Sequence, residues 1–469
     1  MAKKTKQPRR AAQTPAGTRP APRLATPTMP SPPTTLRREV GLWGAIMMGM
    51  GSIVGTGVFV SIGVGAGIAG PAVILAMILA ALVAICNGMS SAQLAANHAV
   101  SGGTYEYGYK YLNPTLGFTA GWMFLLAKSA SAATAALGFA GYALNAFGLS
   151  GQALLIALAF VAVIILTAVV VGGIRRSNTT NILIVSVTLL ALLFFVVAGI
   201  PTALENRTVM FDMDWGRDGF MSALLHATAL MFVAYTGYGR IATLGEEVQE
   251  PRRTIPRAII VTMLLTLVLY TAVAVVGIGA VGADGLSQAT AQAAAPLEVA
   301  ARVFQIPGAS QILAIGAVTA MLGVLLNLLL GLSRVLMAMG RRNDMPPVVA
   351  RLDASGSTPY IAVIVIGVVI AGLTLTGSVR TTWSFSAFTV LIYYALTNLA
   401  ALRLRPSERL YPKWIAWTGL AACLFLAFWV DWQIWGIGLG LIILGIVWHV
   451  FAPNLWNNRK SAKKARKTS

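Results

Sequence analysis

Long apolar runs, repeated along almost the whole chain, decide what this sequence can fold into. Twelve of them lie approximately at residues 40–65, 72–94, 116–144, 153–171, 182–200, 220–244, 258–281, 312–339, 361–375, 383–402, 414–430 and 434–451. Each is near or above the roughly 17–25 residues that a helix needs to cross about 30 Å of hydrocarbon, the ninth being the shortest. Spans of a β-barrel would alternate apolar and polar residues over about ten positions, and these runs do not alternate. Only 11% of the 469 residues are charged and mean hydropathy is +0.75, whereas a soluble chain carries about a quarter. The expected fold is an all-α polytopic membrane protein with 12 transmembrane helices.

The net charge of +20, from 35 Lys and Arg against 15 Asp and Glu, would suggest nucleic acid on a soluble protein. Its distribution points elsewhere. Residues 1–38 hold nine basic residues, no acid and eight of the 21 prolines, a composition that cannot offset its ordering entropy and predicts a disordered tail. The segment lacks the apolar core of a secretory signal, and its prolines argue against the amphipathic helix of an organelle transit peptide. A second basic tail, 453–469, closes the chain. Both suit anionic lipid; nucleic-acid binding needs an ordered basic surface with readout groups, so no nucleic-acid partner is expected.

Translocation disfavours Lys and Arg in short loops. With a cytoplasmic N-terminus, the inside loops and helix ends hold fourteen basic residues, among them Lys110, Arg175, Arg176, Arg252, Arg334, Arg342 and Arg405, and the outside loops four: Arg207, Arg217, Arg302 and Arg380. An even helix count returns the C-terminal tail to the same side. The expected location is the cell membrane with both termini cytoplasmic. Away from the helix ends, Lys128 and Arg240 alone fall within spans. Cys86 and Cys423 lie in different spans and the three His are scattered, so neither a disulfide framework nor a metal site is indicated, and no cofactor is expected. A membrane enzyme would want clustered His, Asp or Cys within its spans, and a channel a repeated filter motif; neither pattern occurs.

Two spans carry interruptions. The first reads GMGSIVGTGVF over residues 49–59, with four glycines in nine positions at mid-membrane. Glycine costs a helix interior about 1 kcal/mol against alanine, so unwinding is expected there, and the freed N–H and C=O groups need a polar partner that lipid cannot supply. Close helix packing through Gly51 and Gly55 is the other reading of the same glycines. The sixth span has a matching interruption, FVAYTGYGR at residues 232–240. Two broken helices, each opening a block of five, are what an inverted-repeat transporter needs at its midplane.

Residues 51–59 (GSIVGTGVF), the loop SGGTYEY at 101–107 with GFTAGW at 117–122, residues 232–256 (FVAYTGYGRIATLGEEVQEPRRTIP), and Ser333-Arg334 with 338–346 resemble amino acid permeases of the amino acid–polyamine–organocation superfamily. The resemblance covers about residues 39–405. It implies the LeuT-type fold, with repeat one at about 40–200, repeat two at about 219–404 and two additional C-terminal helices at about 412–452. It also implies secondary active transport of an amino acid by alternating access. The backbone N–H groups around Gly55, Thr56 and Gly57 would receive the substrate carboxylate, and the carbonyls of Ile53, Tyr235 and Thr236 its ammonium. Val233, Gly237, Tyr238, Gly239 and Arg240 would surround the variable part of the substrate; the two tyrosines also suit plain core packing.

Relatives with cationic substrates often carry an acid near Gly239. Here Arg240 follows instead, which favours a neutral or anionic substrate, the neutral one preferred; alternatively Arg240 is structural and pairs with Glu246 or Glu247. Proton-coupled relatives carry a lysine in helix five, where this chain has Val185-Ser186-Val187-Thr188. Lys128, near the middle of helix three, is the one buried ammonium candidate, either binding and releasing a proton or serving as a permanent countercharge. The 185–188 region is where sodium-coupled relatives bind their ion, which makes Ser186 a coupling candidate, and Glu246 and Glu247 suit an inner gate or a solvated helix end. The coupling ion, proton or sodium, is left open, as are the oligomeric state, exchange of cationic amino acids or amines, and a transport-inactive receptor of the same fold.

Overall fold

The protein is described here by a computed structural model covering residues 40–98, 102–173, 178–208, 213, 215–216, 218–242, 248–353, 356 and 358–468. The segment expected to be a disordered tail, and Glu246 and Glu247, lie outside the described residues. Among the described residues the secondary structure is helical apart from one isolated bridge, Val40 to Val248. The first apolar run forms three pieces, α1 (Leu42–Ile53), α2 (Thr56–Phe59) and α3 (Ser61–Ala69), followed by α4 (Val73–Asn97) and a short α5 (Thr104–Tyr111). Then come α6 (Pro114–Ala146), α7 (Gln152–Val171) and α8 (Asn178–Glu205). The sixth run gives α9 (Phe220–Tyr235), a 3-10 turn (Thr236–Tyr238) and α10 (Gly239–Ala242). The remainder is α11 (Pro251–Ala293), α12 (Pro296–Ala301), α13 (Ala309–Arg341), α14 (Tyr360–Thr374), α15 (Val379–Leu402), α16 (Lys413–Ala427) and α17 (Trp432–Thr468).

Nine helical segments among the described residues are long and apolar enough to cross a membrane, and α1, α14 and α16 are shorter apolar helices. The chain is therefore a multi-pass, all-helical membrane protein. At 1.5 Å per residue the fifteen residues of α14 rise about 22 Å, short of the hydrocarbon thickness, which is why it and α16 fall below the others. Helix α17 runs through the basic C-terminal tail to Thr468. Local signals place several ends: Asn113 accepts from the Leu116 N–H at 2.8 Å ahead of Pro114, and Ser378 accepts from Thr381 at 3.2 Å.

Helix α6 is the central element, packed along α15 and α13. Its run of small residues from Ser129 to Ala136 permits the close approach, and hydroxyl pairs satisfy the polar groups at the seam: Ser131 with Ser386 at 2.7 Å and Thr134 with Thr382 at 2.8 Å. Large apolar side chains left exposed, such as Leu190, Val368, Phe425 and Ile443, belong to helices on the outside of this bundle, as expected of a protein solvated by lipid. Helix α5 is strapped between two supports. Thr104 engages Tyr393 and Thr397 of α15, while the hydroxyls of Tyr105 and Tyr109 donate to buried Asp344, which also faces His449 of α17 at 3.3 Å. This strap fixes the Gly102–Gly103 turn that enters the site below.

Candidate functional site

The first break is local. α1 ends at Ile53, Val54 is extended (φ −76°, ψ 105°) and α2 restarts at Thr56. The Val54 N–H bonds back to Met50 at 2.7 Å, and those of Val58 and Phe59 both reach the Gly55 carbonyl at 3.1 Å. Among the described residues this leaves the N–H groups of Gly55, Thr56 and Gly57 outside the backbone ladder, with the Thr56 hydroxyl buried and unpartnered beside them. In the sixth run the helix tightens into the Thr236–Tyr238 turn.

The two breaks touch. A Cβ on Gly237 would collide with the Ser52 carbonyl and lie 2.5 Å from the Ile53 nitrogen; one on Gly57 would lie 2.7 and 2.8 Å from Cβ and Cα of Ala234. Glycine is required at both points because only a bare backbone passes so closely. Carbonyls freed at the breaks are capped by tyrosines: Tyr270 donates to Ile53 O at 2.8 Å and Tyr394 to Thr236 O at 3.0 Å. Lys128, 9% exposed, donates from Nζ to Thr236 Oγ1 at 2.8 Å, and that hydroxyl spends its own proton on Val233 O at 2.8 Å. A charge on α6 is thus tied to the turn in the sixth run. Removing the Tyr270 hydroxyl in Tyr270→Phe is expected to destabilise the protein by about 1–3 kcal/mol, the cost of an unmet buried acceptor, read as a lower midpoint of thermal unfolding in detergent.

Beside the breaks lies a cavity of about 160 Å³. It is lined by Ser52, Thr236 and Gly237 of the breaks, Phe124 and Lys128 of α6, Tyr393 and Tyr394 of α15, Val324, Asn327, Gly331 and Arg334 of α13, and the Gly102–Gly103 turn. Three cations line it, Lys128, Arg240 and Arg334, and no carboxylate does among the described residues.

Of the residues expected to hold substrate, the cavity takes in Thr236, Gly237, Gly239 and Arg240, together with Lys128. Ile53, Gly55, Thr56, Gly57, Val233, Tyr235 and Tyr238 are buried and are not part of its wall. Val324 stands between the cavity and Gly55, with Cγ2 2.6 Å from where a Cβ on Gly55 would sit. Tyr235 packs on Tyr270 with ring centroids 5.4 Å apart and Tyr238 on Tyr394 at 5.3 Å. Ser186, half-buried on α8, is not part of the cavity wall. Arg240 already interacts within the protein. The α13 wall was not anticipated. Its signal is present all the same: Asn327, Gly331 and Arg334 recur every three to four residues along α13, which places them on one face.

Residues 44–463 match the family model described as amino acid permease. The chain is 40% identical to an uncharacterized transporter of Mycobacterium tuberculosis over 414 residues, 88% of this chain and 90% of that one. It is 29% identical over 352 residues to the branched-chain amino acid permease BcaP of Bacillus subtilis, covering 70% and 72%. With a vacuolar cationic amino acid transporter of Arabidopsis thaliana, number 4, it shares 26% identity over 357 residues, 73% of this chain and 59% of the plant protein.

Proposed function

The chain belongs to the amino acid permease family, and from that premise we propose that it is a secondary active transporter carrying a neutral amino acid across the cell membrane by alternating access. The observation that carries the proposal is the contact of the two breaks, Gly237 against Ser52, on the wall of a cation-lined cavity. In this reading the twelve apolar runs all cross the membrane. The first five and the next five are inverted repeats, the last two lie outside them, and both basic tails rest on anionic lipid at the cytoplasmic face. Broken helices one and six rock against the α6 and α13 scaffold.

The unladdered N–H groups of Gly55, Thr56 and Gly57 receive the carboxylate once Val324 moves aside. The carbonyls of Ile53, Tyr235 and Thr236 receive the ammonium; a carbonyl has two lone pairs, so those already capped by tyrosine keep one. A cationic side chain would enter a cavity holding Lys128, Arg240 and Arg334 with no carboxylate among the described residues to pair it, which argues for a neutral substrate and against the cationic amino acid transport named for the Arabidopsis relative. Identity to the branched-chain permease points the same way. Lys128 couples the cycle to protons, since it is buried, faces the cavity and is bonded to the helix-six turn.

Uptake of labelled amino acids into liposomes holding the purified protein, with and without a pH gradient, tests this. Leucine, isoleucine or valine is expected to accumulate and arginine not to. Transport of arginine in preference would overturn the neutral assignment, and binding without flux would make the protein a receptor.

A further inference from the structure

We infer that Arg334 is a second carboxylate-binding station, on the cytoplasmic stretch of the cavity, which takes the substrate's carboxylate after it leaves the helix-one break. The inference rests on the transporter reading above.

Counting charges by loop assigns Arg334 to membrane orientation, and that explains its sign. It does not explain its place, on the wall of the same cavity that reaches Ser52 and Thr236. Among the three cations there, Lys128 is committed to Thr236 and Arg240 already interacts within the protein. Arg334 is exposed and makes no hydrogen bond or ion pair among the described residues. Its guanidinium presents a planar fork of donors that fits a carboxylate in two parallel hydrogen bonds, in a cleft whose walls confine the field.

Position on α13 makes the two stations successive. Val324, which covers Gly55, and Arg334 are ten residues apart on one helix, about 15 Å along its axis at 1.5 Å per residue. One amino acid cannot have its single carboxylate at both ends, so the substrate meets Arg334 before or after the break. Asn327 and Gly331 lie on the wall between them, and a Cβ on Gly331 would meet nothing within 4 Å, so the cavity is open beside Gly331. The required ligand class follows: the substrate must carry a carboxylate, and a matching amine without one gains nothing from Arg334.

The test measures half-saturation for leucine separately from each face, using right-side-out and everted membrane vesicles holding the full chain. Arg334→Gln is expected to raise the value on the face bearing Gly102–Gly103 at least tenfold and to leave the opposite face within twofold, with Arg334→Lys recovering part of the loss. Competition by 3-methylbutylamine, leucine without its carboxylate, is expected to be the same in Arg334→Gln and the unaltered protein. Equal shifts on both faces, no shift on either, or an equal loss of amine competition would overturn the inference while leaving the transporter reading intact. Failure of the unaltered protein to move any amino acid from either face would remove both.

Discussion

Gly237→Ala is expected to reduce amino acid uptake by at least two orders of magnitude while the protein still reaches the membrane. The added methyl carbon would be driven into the Ser52 carbonyl and to 2.5 Å from the Ile53 nitrogen. Neither group is the yielding end of a flexible side chain. Both belong to the last turn of α1, and the Ile53 carbonyl is held by Tyr270. The helices must separate by about 1 Å to relieve the contact, a distortion of the overpacking kind that costs about 1–3 kcal/mol. Stability can absorb that; the juxtaposition of the two breaks cannot. Gly372→Ala in α14 is the matched control, because it adds the same carbon where nothing lies within 4 Å and away from the cavity wall, and uptake is expected to stay within about twofold. Wild-type uptake by Gly237→Ala, at equal amounts in the membrane, would show that contact between the breaks is not needed.

Replacing Lys128 separates the two roles open to a buried ammonium. Lys128→Met keeps most of the length and removes the donor to Thr236; Lys128→Arg keeps the positive charge but cannot give up its proton. If the proton travels on Nζ, both variants are expected to lose accumulation driven by a pH gradient entirely, settling at equal inside and outside concentrations, while exchange of labelled for unlabelled leucine without a gradient continues. Retained accumulation in Lys128→Arg would instead make Lys128 a permanent countercharge to the helix-six turn. Loss of exchange as well in Lys128→Arg would place the lysine in substrate binding and remove it from coupling.

Much of the fold was legible because lipid imposes a simple rule: each crossing must be apolar for its full length and must satisfy its own backbone. The long runs therefore announced the helices, and glycine density announced the breaks near Gly55 and Gly237. Contacts between distant parts of the chain were not legible. Asp344, Tyr105 and His449 meet at one buried carboxylate although each is more than a hundred residues from the next, and no local pattern marks them as partners. Arg334 was hidden differently. Counting charges by loop treats a basic residue near a helix end as a topology marker, so a residue that serves orientation and also lines the cavity is absorbed by the first role. The N–H groups of Gly55, Thr56 and Gly57, expected to receive a carboxylate, and the open cavity were expected to coincide; Val324 separates them, and its position depends on how α13 packs, which sequence spacing does not report.

The most direct test of the central claim, that amino acid is held in the cavity beside the two breaks, is chemical protection of Gly331→Cys. Gly331 faces open space on the cavity wall, while Cys423 is buried; half-buried Cys86 would first be replaced by serine. A membrane-impermeant thiol reagent applied from the face bearing Gly102–Gly103 is expected to modify this cysteine, and leucine to slow the modification at least fivefold while arginine leaves it unchanged. A modification rate indifferent to every amino acid tested would contradict the claim.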